Sequence, residues 1–261
     1  NKKNFTWKIN LNLTHYKNKI TYLPDEKKTT VMDGHGGYMN GSRYYGEDLP
    51  INTWYMKRFA GLSEDGLSLW YYTDKETNEE KTTTTYSTGD FYLCGDPNPD
   101  LYGGFGTSIT FHGFDLSTQF SYLVGGLTYD YGYAGMMGNP TATSVGNRWH
   151  KDVLKAWSPE NPSSTIPRWH FNDLNTTGSS DRFLIDGSYL NLQNIQVGYT
   201  LPDSWTSHLK IKNLRLYFVC DNVYYWSKRK GLDPRRSISG VGTSGKIAPF
   251  RTYSGGISLQ F

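Results

Sequence analysis

Three features of this 261-residue sequence predict an all-β, antiparallel, membrane-spanning barrel portion. Long segments alternate apolar and polar residues with period two, as strands with one apolar face do. Short connections alternate with long ones along the chain. Aromatic residues make up 16% (Tyr 21, Trp 8, Phe 12), a share suited to strands and to water–lipid interfaces. A mean hydropathy of −0.62 does not oppose this reading, because only alternate barrel residues face lipid. No apolar run approaches the roughly 18 residues of a transmembrane helix. The net charge of +3, with its densest basic cluster at Lys228–Lys230 and Arg235–Arg236, gives no sign of a nucleic-acid partner.

The chain opens directly into a strand without a leader, which reads as a processed product or a fragment. In FTWKINLNL, Phe5, Trp7, Ile9, Leu11 and Leu13 alternate with Thr6, Lys8, Asn10 and Asn12. A Gly-rich stretch, Asp33–Pro50, reads as loop. Thr53–Leu62 and Leu67–Tyr72 form a weaker strand pair around a Ser63–Gly66 turn, followed by a polar tract. In Gly103–Gly126, a two-residue turn at His112-Gly113 sets Phe111 opposite Phe114, Ile109 opposite Leu116 and Phe105 opposite Phe120. The same register sets Gly106 opposite Gln119, and a one-residue slip would destroy the sorting of both faces.

The stretch Gly126–Gly187 is expected to be mostly loop, with Gly146–Trp157 as its one helical segment. In the next strand Leu190 and Leu192 hold one parity, whereas Ile195, Val197 and Tyr199 hold the other, which predicts a β-bulge near Gln193–Asn194. Leu214, Leu216, Phe218 and Cys220 then share a parity that runs on to Tyr224 and Trp226, with Arg215 and Asp221 opposite. The closing strand sets Tyr253, Ile257, Leu259 and Phe261 on one face. Its eight steps at roughly 3.4 Å, tilted by about 40°, span about 21 Å, near the height of a barrel's apolar band.

The sum is about eight strands. Short links (Ser63–Gly66, His112-Gly113, Pro202–Asn213) alternate with long ones (Pro24–Asn52, Thr73–Tyr102, Gly125–Gly187, Lys228–Pro249), the asymmetry of an outer-membrane barrel. The apolar parity, including Phe5, Trp7, Ile9, Leu11, Leu13, Phe105, Ile109, Phe111, Phe114, Leu116, Phe120, Leu214, Leu216, Phe218, Tyr253, Ile257, Leu259 and Phe261, is expected to face lipid or its aromatic girdles. The opposite parity makes Lys8, Asn10, Asn12, Gln119, Arg215 and Asp221 candidate lumen residues, placed to touch solute or simply to solvate the wall.

No phosphate loop, dinucleotide fingerprint or nucleophile elbow occurs, and the six histidines lack metal-ligand spacing, so no enzyme, metal or cofactor is expected. The Asp96–Asp100 run offers two carboxylates, but its two prolines favour a stiff turn. Cys94 and Cys220 form no framework, although a disulfide between them stays open. Trp7, Trp54 and Trp226 are expected in girdles or packing. Trp149, Trp157 and Trp169, with Arg168, are candidates for stacking on substrate or meeting a partner lid; the plain alternative is that they pack the long loop into a cap.

With the strands placed, several stretches resemble the C-terminal barrel region of SusC/RagA-type TonB-dependent outer-membrane transporters. The strongest is DRFLIDGSYLNLQNIQVGYTLPDSW (Asp181–Trp205). LRLYFVCDNVYYWSKRKGLDP (Leu214–Pro234), FRTYSGGISLQF (Phe250–Phe261) and GDPNPDLYGGFGTSITFHGFDLSTQFSY (Gly95–Tyr122) are similar to further segments of that family. Together they cover most of Gly95–Phe261, whereas the first 90 residues resemble the family only through Asp48–Leu62. Arg235 departs from the pattern, which commonly has an acidic residue after GLDP.

The resemblance implies that residues 1–261 are the C-terminal part of one barrel domain, about the last eight strands of a 22-stranded barrel. The plug that fills the barrel would be absent from this chain. It further implies import of oligosaccharides or peptides, a SusD-like surface lipoprotein as lid, and energy from the TonB complex. Insertion by the barrel-assembly machinery and contact with outer-membrane lipid in a Gram-negative bacterium are implied as well. Two other readings remain: a self-contained eight-stranded barrel of structural or adhesive role, and a secreted carbohydrate-binding β-sandwich.

Overall fold

The alternating segments pair with one another. A computed structural model describes residues 5–142, 146, 148–173, 175–176, 178–236, 239–241 and 249–261. Six long strands form one antiparallel sheet in chain order: β1 (Phe5–Thr14), β2 (Leu101–Phe111), β3 (Phe114–Val124), β4 (Tyr189–Thr200), β5 (Asn213–Ser227) and β6 (Thr252–Gln260). The β2–β3 hairpin has the predicted register, from Phe111 opposite Phe114 to Phe105 opposite Phe120. His112 (φ 47°) and Gly113 (φ 86°) both take the left-handed backbone that a two-residue hairpin turn requires.

The predicted bulge is present. Pairing shifts at Gln193 against β3, and on the other side Leu192 faces Tyr224 while Asn194 faces Asp221. The extra residue lets Leu190 and Leu192 share a face with Ile195 and Val197. The two-residue turn and the link over 201–212 lie at one end of the sheet, and the connections over 15–100, 125–188 and 228–251 leave from the other. Two of the three expected short links are sorted as predicted, whereas the Ser63–Gly66 turn lies inside the long connection over 15–100, because its flanking strands join the loop layer and not the large sheet. Residues 242–248 of the last connection lie outside the described residues.

The apolar parity of all six strands faces away from the rest of the chain. Leu11 is 69% exposed and Ile257 66%, whereas Trp54, out in the loops, is fully buried. Aromatic contacts border this face at both ends: Phe5 with Phe111 and Phe114 with Tyr199 at the short-turn end, Phe218 with Tyr253 and Tyr224 with Trp226 toward the other. A polar side chain on this face finds a partner within it, for Trp7 Nε1 donates to Thr107 Oγ1 at 2.7 Å.

The packed core lies in the loop layer. Thr30–Met32, His35–Asn40, Arg43–Gly46, Thr53–Lys57 and Phe91–Leu93 make a five-stranded antiparallel sheet, and Phe59–Leu62, Ser68–Thr73 and Glu80–Thr83 a three-stranded one. Thr53–Leu62 and Leu67–Tyr72 therefore belong here, and six of the eight expected strands join the large sheet. The physical reason is burial on both faces: every residue of Thr53–Lys57 is buried, so no face is left for a barrel exterior. Trp54 is accordingly no girdle residue but packs with Met56, Tyr129, Met137 and Phe183.

The expected helix over Gly146–Trp157 reduces to one 3-10 stretch, Lys151–Lys155; Asn147 lies outside the described residues. His150 caps it, its Nδ1 accepting from the Asp152 amide, and Leu154 stays 91% exposed, so no continuous apolar stripe holds a longer helix. The short α-helix forms instead at Tyr131–Met136, where the Asp130 carboxylate accepts from the Tyr133 amide. Asp96 likewise accepts from the Asn98 amide at 2.8 Å, the stiff turn of the plain reading. Cys94 and Cys220 are unpaired.

Buried cations tie the loop layer together. Lys57 Nζ donates to the carbonyls of Tyr86 (2.5 Å), Ser87 (3.2 Å) and Gly89 (2.6 Å) and lies over the Tyr86 ring. The Arg43 guanidinium lies 3.1 Å above the Trp54 ring and donates to the carbonyls of Asn52 and Ser239. Burial pushes the Arg43 and Arg182 pKa values down to about 10.

Replacing Lys57 with Met leaves three carbonyls without their donor and is expected to cost about 1–3 kcal/mol. Desolvation also lowers the Lys57 pKa below 10.5 in the folded state. The unfolded chain thus holds more protons in the window just below pH 10.5, and the fold gains stability there as pH rises. The stability gap between parent and Lys57→Met should therefore widen toward pH 10.5 in urea unfolding across a pH series.

Candidate functional site

The inward parity of the sheet forms a polar wall arranged in transverse rows. Asn10, Gly106, Gln119, Asn194, Asp221 and Thr252 stand side by side across all six strands. Three predicted lumen residues, Asn10, Gln119 and Asp221, are thereby brought into one row. Lys8 lies one row toward the short-turn end and Asn12 one row toward the loops. A Cβ on Gly106 would sit 2.5 Å from Asn10 Oδ1 and 2.3 Å from Gln119 Oε1, so these two amides lean toward each other over the glycine. Asn194 donates to Asp221 Oδ1 at 2.7 Å, which turns that carboxylate toward the wall.

Arg215 acts through a partner that periodicity did not single out. Its Nε and Nη2 donate to Asp115 at 2.9 and 2.6 Å, although β5 and β3 are not neighbours in the sheet. The pair bridges β4 above Gly198, where a Cβ would lie 2.5 Å from Arg215 Nη2 and from Asp115 Oδ1. Both side chains are about a quarter exposed, so the forked ion pair stands at the wall with one side open to solvent.

The loop candidates separate into two groups. Trp149 and Trp169 meet edge to face at 5.5 Å, and Trp169 donates to the Gly138 carbonyl at 3.3 Å while remaining 40% exposed. Trp157 and Arg168 instead clasp the Ser63–Gly66 turn: the Arg168 amide donates to Gly66 O at 2.9 Å, and the Trp157 ring covers Gly66. The Trp157 ring and the Arg168 backbone thus join separate loops, the arrangement of the cap alternative, while the Trp149–Trp169 pair presents a surface.

Arg235, the departure from the family pattern, is held in place by contacts the sequence did not suggest. It forks onto Asp233 (2.8 Å twice), donates to Asn191 Oδ1 at 2.7 Å and lies over the Tyr225 ring at 4.5 Å. The last long connection is thus anchored to the inward face of β4 and β5. Among the described residues no group of three or more His, Cys, Asp or Glu could hold a metal ion.

Gly198→Val should force the Arg215–Asp115 pair apart. The expected cost is about 1–3 kcal/mol, similar to that of Arg215→Leu, and the double variant should cost clearly less than the sum. Urea unfolding of the protein in detergent measures all three.

No protein-family model matches the chain. Three curated relatives align with nearly all of it. TonB-dependent receptor P3 of Formosa agariphila is 28% identical over 287 residues (98% of this chain, 27% of that protein). TonB-dependent receptor P26 of the same organism is 27% identical over 252 residues (94% and 25%). TonB-dependent receptor SusC of Bacteroides thetaiotaomicron is 26% identical over 270 residues (99% and 25%). The chain thus spans about a quarter of the length of these relatives. A solved structure of the RagAB peptide transporter matches the whole chain with a TM-score of 0.80 at 23% identity, over 28% of that chain. A structure of the RagAB peptide importer in the open-open state gives 0.78 at 23%, over 27% of that chain. In sequence over nearly its full length the chain is similar to TonB-dependent receptors, SusC among them, and in fold over all of it to a part of the RagAB transporter, as an antiparallel β-barrel portion.

Proposed function

We propose that residues 1–261 form the C-terminal part of the barrel of an outer-membrane importer that takes up oligosaccharides or peptides. TonB would supply the energy and a SusD-like surface lipoprotein would act as lid over the long-loop end. The observation that carries this reading is the near-complete alignment with SusC, joined to a sheet that is apolar outside and polar inside. The outward stripe would face membrane lipid, and the rows around Asn10, Gln119 and Asp221 would line the path of solute or meet the plug. The rival readings fit less well. A β-sandwich would cover the apolar face with a second sheet, and among the described residues none covers it. A self-contained barrel would join its first and last strands, whereas β1 and β6 are the two edges of an open sheet.

Uptake of labelled oligosaccharides and peptides by the source cells tests the reading. Deleting the gene that encodes this chain, or TonB, is expected to abolish uptake of the same compound; uptake that persists without TonB would overturn it. A second measurement addresses the lipid-facing stripe. Val197 lies on the outward parity of β4 and Gln196 on the inward one. Val197→Arg is expected to cost about 1–3 kcal/mol of barrel stability in lipid, between the ranges for a charge at the midplane and at the interface. Gln196→Arg should be tolerated, and equal costs for the two would refute the assignment of faces.

A further inference from the structure

The large sheet carries a notch at its long-loop end. β5 pairs with β6 only as far as Asp221 opposite Thr252, and then runs on to Ser227 without it. The chain returning to β6 passes this gap, where Asn222 Nδ2 donates to the Phe250 carbonyl at 3.1 Å. A cavity of about 470 Å³ lies here, with Tyr224, Trp226, Lys230, Pro249 and Arg251 in its lining. Its aromatic side belongs to the outward stripe. Tyr224 and Trp226 lie opposite Leu192 and Leu190, meet edge to face at 4.8 Å and are 49% and 48% exposed. Arg251 stands on the same side, for its Nη1 donates to the hydroxyl of the outward Tyr253 at 3.5 Å. The nearby Arg229 and Arg235 are ion-paired, with Asp130 and Asp233, whereas among the described residues neither Lys230 nor Arg251 meets a carboxylate.

We propose that this cavity binds the phosphate-bearing headgroup of an outer-leaflet glycolipid, entered from the lipid side of the wall. A guanidinium fork and an ammonium together satisfy the oxygens of a phosphate monoester, and such charge-assisted bonds are about twice as strong as neutral ones. Trp and Tyr rings favour the depth at which acyl chains meet headgroups, so Tyr224 and Trp226 pack beneath the phosphate. Arg251 and both rings stand on the face away from the polar rows, so a solute crossing the barrel does not meet them. A zwitterionic headgroup would bring a further cation to two that are already unmatched, which favours a headgroup carrying phosphate alone. The inference goes beyond import, but it rests on the proposed orientation, with the apolar stripe in lipid and the long-loop end outside.

The test uses the full-length protein containing this chain, purified in detergent. Native mass spectrometry compares retention of diphosphoryl lipid A with that of its dephosphorylated form. The parent is expected to hold the phosphorylated lipid about tenfold more tightly. Arg251→Gln and Lys230→Gln should each reduce that preference roughly three- to tenfold and the double variant abolish it, whereas Arg251→Lys keeps the charge and loses less than about threefold. Equal retention of the two lipids by the parent overturns the proposal. So does a preference unchanged in the double variant when its unfolding midpoint matches the parent's; if the double variant is unstable, Arg251→Gln alone decides. Inorganic phosphate that competes as well as the phosphorylated lipid marks a free-anion site and overturns the lipid assignment. The stabilities of Val197→Arg and Gln196→Arg separate this claim from the one beneath it. Unequal costs with no phosphate preference sink the headgroup site and leave the lipid-facing stripe standing. Equal costs sink the stripe, and the site with it.

Discussion

From β1 to β6 each strand holds its neighbour in a register that keeps most apolar side chains on one face, and a one-residue slip at any pair would turn that strand's share of them inward. Because the strands are long, the stripe is tall and continuous, and nothing else among the described residues covers it. The polar rows, the loop anchors and the cavity all take their positions from this register. The bulge at Gln193 is what lets it survive in β4, where the sequence changes parity partway along the strand. Asn222, opposite that bulge, takes a left-handed backbone (φ 52°), which absorbs the extra residue on β5.

The molecule thus inverts the usual arrangement of a water-soluble domain. Its buried apolar cluster, around Trp54, Met56, Tyr129 and Phe183, is in the connections, and its sheet has none. Connections of this length hold together only if they build their own secondary structure and satisfy their own backbone. Buried cations do part of this. Lys57 gathers three carbonyls from one turn, and Arg43 bonds two carbonyls from distant segments while stacking on Trp54. Neutral acceptors and ring faces offset desolvation without a buried carboxylate.

Small residues on the inward wall make room for longer neighbours. Gly198 allows Arg215 and Asp115 to reach across a whole strand, and Gly106 gives space to Asn10 and Gln119. Such a bridge spans two strands at once, where the other side-chain bonds of the wall, such as Asn194 to Asp221, join neighbours. Arg235 extends the principle to the loop rim, where its fork onto Asp233 and its bond to Asn191 fix the start of the last connection to β4. An acidic residue at this position could make neither contact, so the departure from the family pattern carries its own local structure.

The residue pattern alone determined the large sheet: the β2–β3 register, the bulge near Gln193–Asn194, and the separation of short from long connections all follow from period-two alternation, which is a local property. The two faces, and with them Lys8, Asn10, Asn12 and Gln119, were legible for the same reason. The loop layer was not. Thr53–Lys57 lacks alternation because it is buried on both sides, and Gly146–Trp157 carries helical spacing without a surface to hold a helix. Asp115 and Arg215 are 100 residues apart, and Lys57 reaches its carbonyls about 30 residues onward. Contacts at such separations depend on which strands become neighbours and where a glycine leaves space, and these only the tertiary structure decided.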